Sequence, residues 1–290
     1  MPRRECQGRF NLAAGKLTKA LFFSCFLLNS HNANYKYIKK PPEGGKGDSS
    51  MQEILGLMRR CIEDYDMIAD GDTIAVGLSG GKDSLVLLTA LARLRNFYPK
   101  KFTLCGMTLD AGIPGMDFSP VAACCKSLGV EYIRVPVPVY EVVFLDRKEK
   151  NPCSLCSKLR RGALSTALNG RGIRKIALGH HYDDAVETFL MNLLYEGRIG
   201  CFQPVTYLSR SDIYQIRPLL YVKETKISRI AEELSLPVVE NLCPADGNTR
   251  RQELKELIAV LEKRYPSLRQ RIFGAMQRLP LEGWKTEEIM

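Results

Sequence analysis

The chain has 290 residues, with 42 Lys and Arg against 32 Asp and Glu, for a net charge of +10. Apolar residues make up 45% and charged residues 26%, which excludes a disordered or collagen-like chain and leaves room for one large domain or two small ones with a buried core. Ten cysteines are too sparse at this length for a disulfide scaffold and point to metal binding or packing. Residues 1–50 carry nine basic and three acidic side chains, so a net of +6 belongs to this segment and only +4 to the remainder. Its one apolar run, 20–28 (ALFFSCFLL), is too short to cross a bilayer. A basic start before a short apolar core resembles a signal peptide, but no small-x-small cleavage site follows. The segment reads as a flexible extension, or as leader upstream of a start at Met51. Ser50 to Glu53 matches a capping box and predicts a helix start there.

From Met51 the pattern becomes regular. Ile54, Leu55, Met58, Cys61, Ile62 and Tyr65 share one helical face. Strands are predicted at 73–78, 102–109, 131–135, 175–178 and 213–216. Helices are predicted from the end of the first strand through Leu94, over 121–128, after Cys156, over 183–195 and over 223–234. Strands alternating with helices give an α/β class with a doubly wound parallel sheet covered on both faces. Ligands on such sheets sit at the carboxyl ends of the strands. The predicted division is an extension at 1–50, a catalytic domain at 51–240, and a short helical segment at 241–290.

Ser79-Gly80-Gly81-Lys82-Asp83-Ser84 lies between the first strand and its helix. Two glycines let backbone N–H groups approach an anion, and the helix N-terminus adds partial positive charge. Lys82 supplies a point charge, and Ser79 and Ser84 supply hydroxyls. Asp83 would repel bare phosphate and so implies a cation such as Mg²⁺. The motif is not the Walker pattern. It resembles the loop of the pyrophosphatase-loop (PP-loop) ATPases, an adenine nucleotide α-hydrolase-like group that splits ATP between the α and β phosphates and adenylates its substrate. Gly179-His180-His181-Tyr182-Asp183-Asp184, with Glu187-Thr188, resembles the second signature of its tRNA-modifying branch, and Ile216-Arg217-Pro218-Leu219-Leu220 a third. His180 and His181 are candidates to position substrate or phosphate. Asp183 and Asp184 are candidates to hold Mg²⁺ or place a water, and the simpler reading is that they cap a helix. Leu109, at the end of the second strand, joins the expected nucleotide contacts.

Cys153 and Cys156 lie three apart, and Cys243 is a distant third candidate. Cys61, Cys105, Cys124, Cys125 and Cys201 sit in apolar segments and read as core, while Cys6 and Cys25 belong to the extension. Structural zinc usually takes four protein ligands. Three thiolates suit an iron–sulfur cluster with one iron left open. A thioredoxin-like pair lacks its fold context. The run from Cys153 to Gly162 with a distant Cys243 resembles the tRNA 2-thiocytidine synthetase family, whose members hold a [4Fe–4S] cluster on three cysteines. Glu262 to Pro266 and Ala275-Met276-Gln277 resemble it too. Pro244-Ala245-Asp246 departs from the Gly-Ser-Gln that members often carry.

The resemblance implies adenylation of the C2 oxygen of an anticodon-loop cytidine, position 32, and its replacement by sulfur delivered through the cluster. Lys82, Asp83, Asp183 and Asp184 would be catalytic. ATP, Mg²⁺ and the cluster are the implied cofactors. The implied partners are tRNA and a sulfur donor such as a cysteine desulfurase, with a homodimer as an open assembly state and no membrane. The metabolites required place the chemistry in the cytoplasm. Lys158, Arg160 and Arg161, in an acid-free stretch beside the cysteines, with Arg217, Arg250 and Arg251, are the expected RNA contacts. The alternatives are a lysidine or thiouridine synthetase, or a zinc-stabilised RNA-binding protein without catalysis. A lysidine synthetase needs no cysteines, and a thiouridine synthetase typically carries cysteine pairs at the chain ends.

Overall fold

The computed structural model describes residues 46–150, 152–245, 250–279 and 281–284. The apolar run at 20–28, Cys6 and Cys25 lie outside them. Helix α1 (Lys46–Asp64) begins before the capping box expected at Ser50. The Ser50 hydroxyl is spent elsewhere, donating to Glu233 across the fold at 3.3 Å. Strand β1 (Asp72–Gly77), α2 (Lys82–Leu94), β2 (Phe102–Asp110), α3 (Ser119–Ser127) and β3 (Glu131–Pro136) follow within a residue or two of the predicted bounds. Next come a π-helical turn (Glu141–Asp146), α4 (Pro152–Asn169), β4 (Lys175–Ala177) and α5 (Tyr182–Glu196). Strands β5 (Val205–Leu208) and β6 (Ile213–Ile216), a 3₁₀ turn (Pro218–Tyr221), α6 (Glu224–Glu233), α7 (Arg250–Arg264) and α8 (Leu268–Arg278) complete the order.

Two bounds differ from expectation in ways that matter. Helix α4 starts at Pro152, before the cysteines rather than after Cys156. Proline's fixed φ suits a first helical turn. Cys153 and Cys156 therefore share one face of that turn. Strand β5 was not expected at all, and it runs antiparallel to β6. A short hairpin suffices for an antiparallel neighbour, whereas a parallel one needs a crossover.

The sheet order is β3-β2-β1-β4-β6-β5, parallel except for β5. Side chains alternate across it with period two. Ile74, Val76 and Leu104 point into a large core built with α1, α2, α5 and α6. Ala75, Cys105 and Met107 point to the opposite face, where Leu164, Ala167 and Leu168 of α4 cover them. Helices α7 and α8 bury Leu254, Ile258, Phe273 and Met276 in the larger core, so the C-terminal segment is packed with the sheet domain. From β1 the chain proceeds to β2 on one side, and from β4 to β6 on the other. The carboxyl ends of adjacent β1 and β4 thus form the crevice where a doubly wound sheet binds ligands. Both signature loops emerge there. No helix among the described residues is long and apolar enough to cross a membrane.

Candidate active site

The phosphate loop is tied to itself. The Ser79 hydroxyl accepts the Gly81 N–H at 3.3 Å and donates to Ser84 Oγ at 3.4 Å, and Ser84 Oγ donates to the Gly81 carbonyl at 2.8 Å. Gly80 takes φ +86°, which L side chains rarely adopt. Gly81 caps α2 in extended conformation with no side chain covering the helix N-terminus. The helix start thus has no side-chain cap hydrogen bond, which leaves N–H groups of its first turn for an anion. The second signature packs on this loop backbone to backbone. A Cβ at Gly179 would lie 3.1 Å from the Asp83 carbonyl carbon and 3.2 Å from Ser84 N.

Lys82 Nζ lies 3.1 Å from Asp83 and 2.9 Å from Glu224 on α6. Burial works against its charge, but the Glu224 hydrogen bond and the Asp83 carboxylate hold the ammonium above its usual pKa. His181 is 2% exposed and bridges the two signatures, with Nε2 3.8 Å from Asp83 and 3.4 Å from Asp184. His180 is the other residue expected to position substrate or phosphate. Its ring lies against Phe202 at 5.1 Å, and burial, with the charge of Arg217, depresses it to about 4. It is neutral at pH 7 and offers hydrogen bonding but no charge.

The paired acids of the second signature are not equivalent. Asp184 accepts the His181 N–H at 3.0 Å, closing a capping box on its own helix, and pairs with Arg251 at 2.7 Å. Asp183 accepts the Glu224 N–H at 2.7 Å, capping α6, and pairs with Arg269 at 3.1 Å. Both thus carry the helix-capping duty that was the simpler reading of them. Asp83 has Lys82 as its one charged Lys or Arg partner among the described residues, with His181 Nε2 3.8 Å away.

Sequence reasoning gave no role to three members of this network: Glu224, Glu187 and Lys255. Lys255 reaches Glu224 at 3.4 Å and Glu187 at 3.7 Å, and Arg251 reaches Glu187 at 3.6 Å. Glu187 is 1% exposed, and burial pushes its carboxyl up to about 7 against the pull of Lys255 and Arg251. A raised carboxyl binds its proton more tightly folded than unfolded. Its contribution is therefore complete below about pH 4.5 and is lost as pH rises toward 7. In denaturant unfolding, the stability of Glu187→Gln relative to the parent should shift in the variant's favour by about 2 kcal/mol between pH 5 and pH 8. A pH-independent difference would contradict this assignment.

Leu109 is partly buried at the end of β2. It packs with Val137, Val139 and Val143 in a small cluster that also takes Leu155 and Cys156 of α4. The cysteine helix is thereby seated at the carboxyl end of β2. Cys153 is exposed, and Cys156 and Cys243 are partly so. Burial raises the Cys156 thiol, Arg160 lowers it, and the charges of Cys243 and Cys153 raise it further, so the three sulfurs share one neighbourhood. They are not drawn to ligand spacing: among the described residues no three Cys, His, Asp or Glu side chains stand as a preformed metal site. The donor set itself, three thiols with a cation beside them, fits an iron–sulfur cluster better than four-ligand zinc. Cys61, Cys105, Cys124 and Cys125 are buried, and Cys201 packs against the core. Burial pushes Cys105 and Cys124 to about 11, and Cys125 and Cys201 to about 12, which keeps them protonated.

The segment carrying Cys243 is strapped to the phosphate loop. The Val239 N–H donates to the Gly80 carbonyl at 2.9 Å, and Leu242 lies against Gly115 in the loop after β2. Three residues of chain separate Val239 from Cys243.

The expected RNA contacts divide. Lys158, Arg160 and Arg161 are exposed along α4, and none forms a salt bridge among the described residues. Arg250 is exposed and stacks over Tyr195 at 5.2 Å. Arg251 turns inward to Asp184 and Glu187. Arg217 is 5% exposed, lies over Phe202 at 4.9 Å, and donates to the Gln203 carbonyl and the Thr206 hydroxyl. Its guanidinium is spent in the interior, which corrects the expectation of an RNA contact there.

A PP-loop domain model matches residues 53–261. The chain is 40% identical over 232 residues to the tRNA-cytidine(32) 2-sulfurtransferase of Dechloromonas aromatica, covering 78% of this chain and 79% of that one. It is 39% identical over 226 residues to the enzyme of the same name from Ralstonia nicotianae, covering 76% and 71%. Among solved structures, the U34-tRNA thiolase NcsA of Methanococcus maripaludis, determined with its [4Fe–4S] cluster, superposes with a TM-score of 0.67 at 26% identity over 80% of this chain and 79% of that one. With a family match over most of the chain and relatives this similar, the protein belongs to the tRNA-cytidine(32) 2-sulfurtransferase family of PP-loop proteins.

Proposed function

We propose that the protein thiolates tRNA, using ATP to activate the C2 oxygen of cytidine 32 and replacing that oxygen with sulfur. The carbonyl oxygen is a poor leaving group, and adenylation converts it into one that departs as AMP. Lys82 and the uncapped N–H groups at the start of α2 bind the phosphates and stabilise the charge that develops on the departing pyrophosphate. Asp83, the least committed carboxylate of the crevice, is the residue that would hold the Mg²⁺ accompanying the triphosphate, an ion that would neutralise phosphate charge. Asp183 and Asp184 hold the second signature and α6 against the loop and approach the ion only by giving up part of their present pairing. His181 stands between the two signatures, 3.8 Å from Asp83 and 3.4 Å from Asp184. Cys153, Cys156 and Cys243 are the residues that would hold a [4Fe–4S] cluster, which when bound supplies the route for sulfur to C2. The sulfur comes from a donor such as a cysteine desulfurase, and the reaction takes place in the cytoplasm, where tRNA and ATP are present.

The strap between Val239 and Gly80 is the observation that supports this reading most, because Val239 lies four positions before Cys243 in the chain. Activation and sulfur transfer must happen at one carbon, so the two sites have to adjoin. The test is turnover. Protein purified without oxygen should convert ATP to AMP and pyrophosphate only when tRNA is present, and Lys82→Ala should abolish it. ADP as product, or turnover that ignores tRNA, would overturn the proposal.

The tRNA backbone is assigned to the exposed face of α4, with Arg250. Arg160→Ala/Arg161→Ala should weaken tRNA binding and reduce the slope of log affinity against log salt by about 2, one per lost phosphate contact. An unchanged salt slope would move the RNA to another face.

A further inference from the structure

In this structure the phosphate-loop lysine is already occupied. Besides its neighbour Asp83, Lys82 holds Glu224 at 2.9 Å, so a triphosphate binding Lys82 competes with that carboxylate. Glu224 is placed by its backbone: its N–H is fixed on Asp183 at 2.7 Å. Its side chain is shared. One oxygen pairs with Lys82, and the other stands 3.4 Å from Lys255 on α7. Burial alone would raise this carboxyl, but the Lys82 hydrogen bond and charge, with Lys255, bring it down to about 2, so it stays ionised. The lysines are not alike in their surroundings. Lys82 lies at the mouth of the crevice where the α2 N-terminus opens. Lys255 lies behind it, with Glu187 as its only other carboxylate among the described residues. The far side of Glu224 borders an open cleft of about 470 Å³ lined also by Thr225, Ser228 and Arg269, so the side chain has room to turn.

We propose that Glu224 is a positioning residue that aligns Lys82 in the empty loop and is handed to Lys255 when the triphosphate takes Lys82. The inference rests on the reading of Lys82 as a phosphate ligand. The handover lets the loop keep an ordered lysine without nucleotide, and it spares Glu224 an unpaired charge once nucleotide is bound. It also links α7, which follows the Cys243 segment, to occupancy of the phosphate loop. Two variants should then act with opposite sign. Glu224→Gln removes the competitor and tightens nucleotide binding. It also leaves Lys82 less well aligned, so kcat falls while KM for ATP falls too. Lys255→Met removes the acceptor of the handover, leaves Glu224 on Lys82 and weakens nucleotide binding. For pairs about one-third exposed, each change should be about two- to fivefold in affinity.

The experiment is calorimetric titration of the full chain and its variants with α,β-methylene-ATP and Mg²⁺. The expected result is a tighter Glu224→Gln, a weaker Lys255→Met, and a Lys255→Met/Glu224→Gln double variant in which the Lys255 effect has vanished. Purely structural roles would weaken binding in both single variants, and additive effects in the double variant would mean that the two residues act independently. Either outcome overturns the handover. Lys82→Ala separates this failure from a deeper one. If Lys82→Ala binds the analogue as tightly as the parent, Lys82 is not a phosphate ligand and the reading beneath the proposal fails with it. If Lys82→Ala loses binding while Glu224→Gln does not tighten it, only the handover is wrong.

Discussion

A Gly80→Ala variant is expected to lose ATP affinity, and tRNA thiolation with it, by roughly a hundredfold. Two independent strains converge on this one position. Its φ of +86° lies where an alanine side chain is disfavoured by about 1 kcal/mol. An added Cβ would also stand 2.9 Å from Val239 Cβ, closer than real contacts allow, and relieving that overlap costs about 1–3 kcal/mol. The loop cannot shift without breaking the Val239–Gly80 hydrogen bond that holds the Cys243 segment. Gly81→Ala is the matched control. Its φ of −74° is ordinary and its added Cβ would meet only Ser79 Oγ at 3.4 Å, so the fold should survive with little loss of stability. Removing the opposing Cβ, in Gly80→Ala/Val239→Gly, should recover part of the loss and leave the part due to φ, whereas Val239→Ala keeps the atom at 2.9 Å and should recover little. Nucleotide titration of the three variants reads all of this directly. Equal effects at Gly80 and Gly81 would refute the account of the strap.

Cys243→Ser should separate the two halves of the reaction. Serine keeps the size of the side chain and the backbone on either side, so the Val239 strap and ATP binding should remain as in the parent. The hydroxyl is a poor iron ligand, and three thiolates are already the fewest that leave one iron open. Iron content of protein purified without oxygen should fall sharply, and thiolation should drop below roughly 1% of the parent. Cys105→Ser makes the contrast. Cys105 is buried in the smaller core with its thiol held protonated, so its replacement should cost stability on the order of 1–2 kcal/mol and leave iron content alone. Iron retained in Cys243→Ser would take the third cysteine out of the site.

The parts legible in the sequence were those that local physics sets. An apolar run, two glycines and a helical pattern made β1, the phosphate loop and α2 readable to within a residue. Buried cysteines announced themselves by their apolar neighbours. The start of α4 is harder to read, because the cysteine spacing is the stronger local signal and Pro152, which sets the first turn, precedes it. Strand β5 was missed because four residues of a short edge hairpin carry little periodicity. Arg217 looked like a surface cation from its charge alone, and only the packing of Phe202 and Gln203 reveals a buried guanidinium. The network through Glu224, Lys255 and Glu187 joins three helices far apart in the chain. An acid at the start of α6 reads from sequence as a dipole cap, and nothing local says that it reaches a lysine on another element.

The measurement that bears most directly on the central claim is mass-spectrometric mapping of tRNA after reaction with ATP and the iron-loaded chain under strict exclusion of oxygen. The claim is that one crevice, floored by the Ser79–Ser84 loop and flanked by Cys153, Cys156 and Cys243, activates and thiolates a single cytidine. It predicts one added sulfur, as 2-thiocytidine at position 32, dependent on ATP and absent with Lys82→Ala or Cys243→Ser. Sulfur found on uridine 34, or thiolation that persists in either variant, would contradict it.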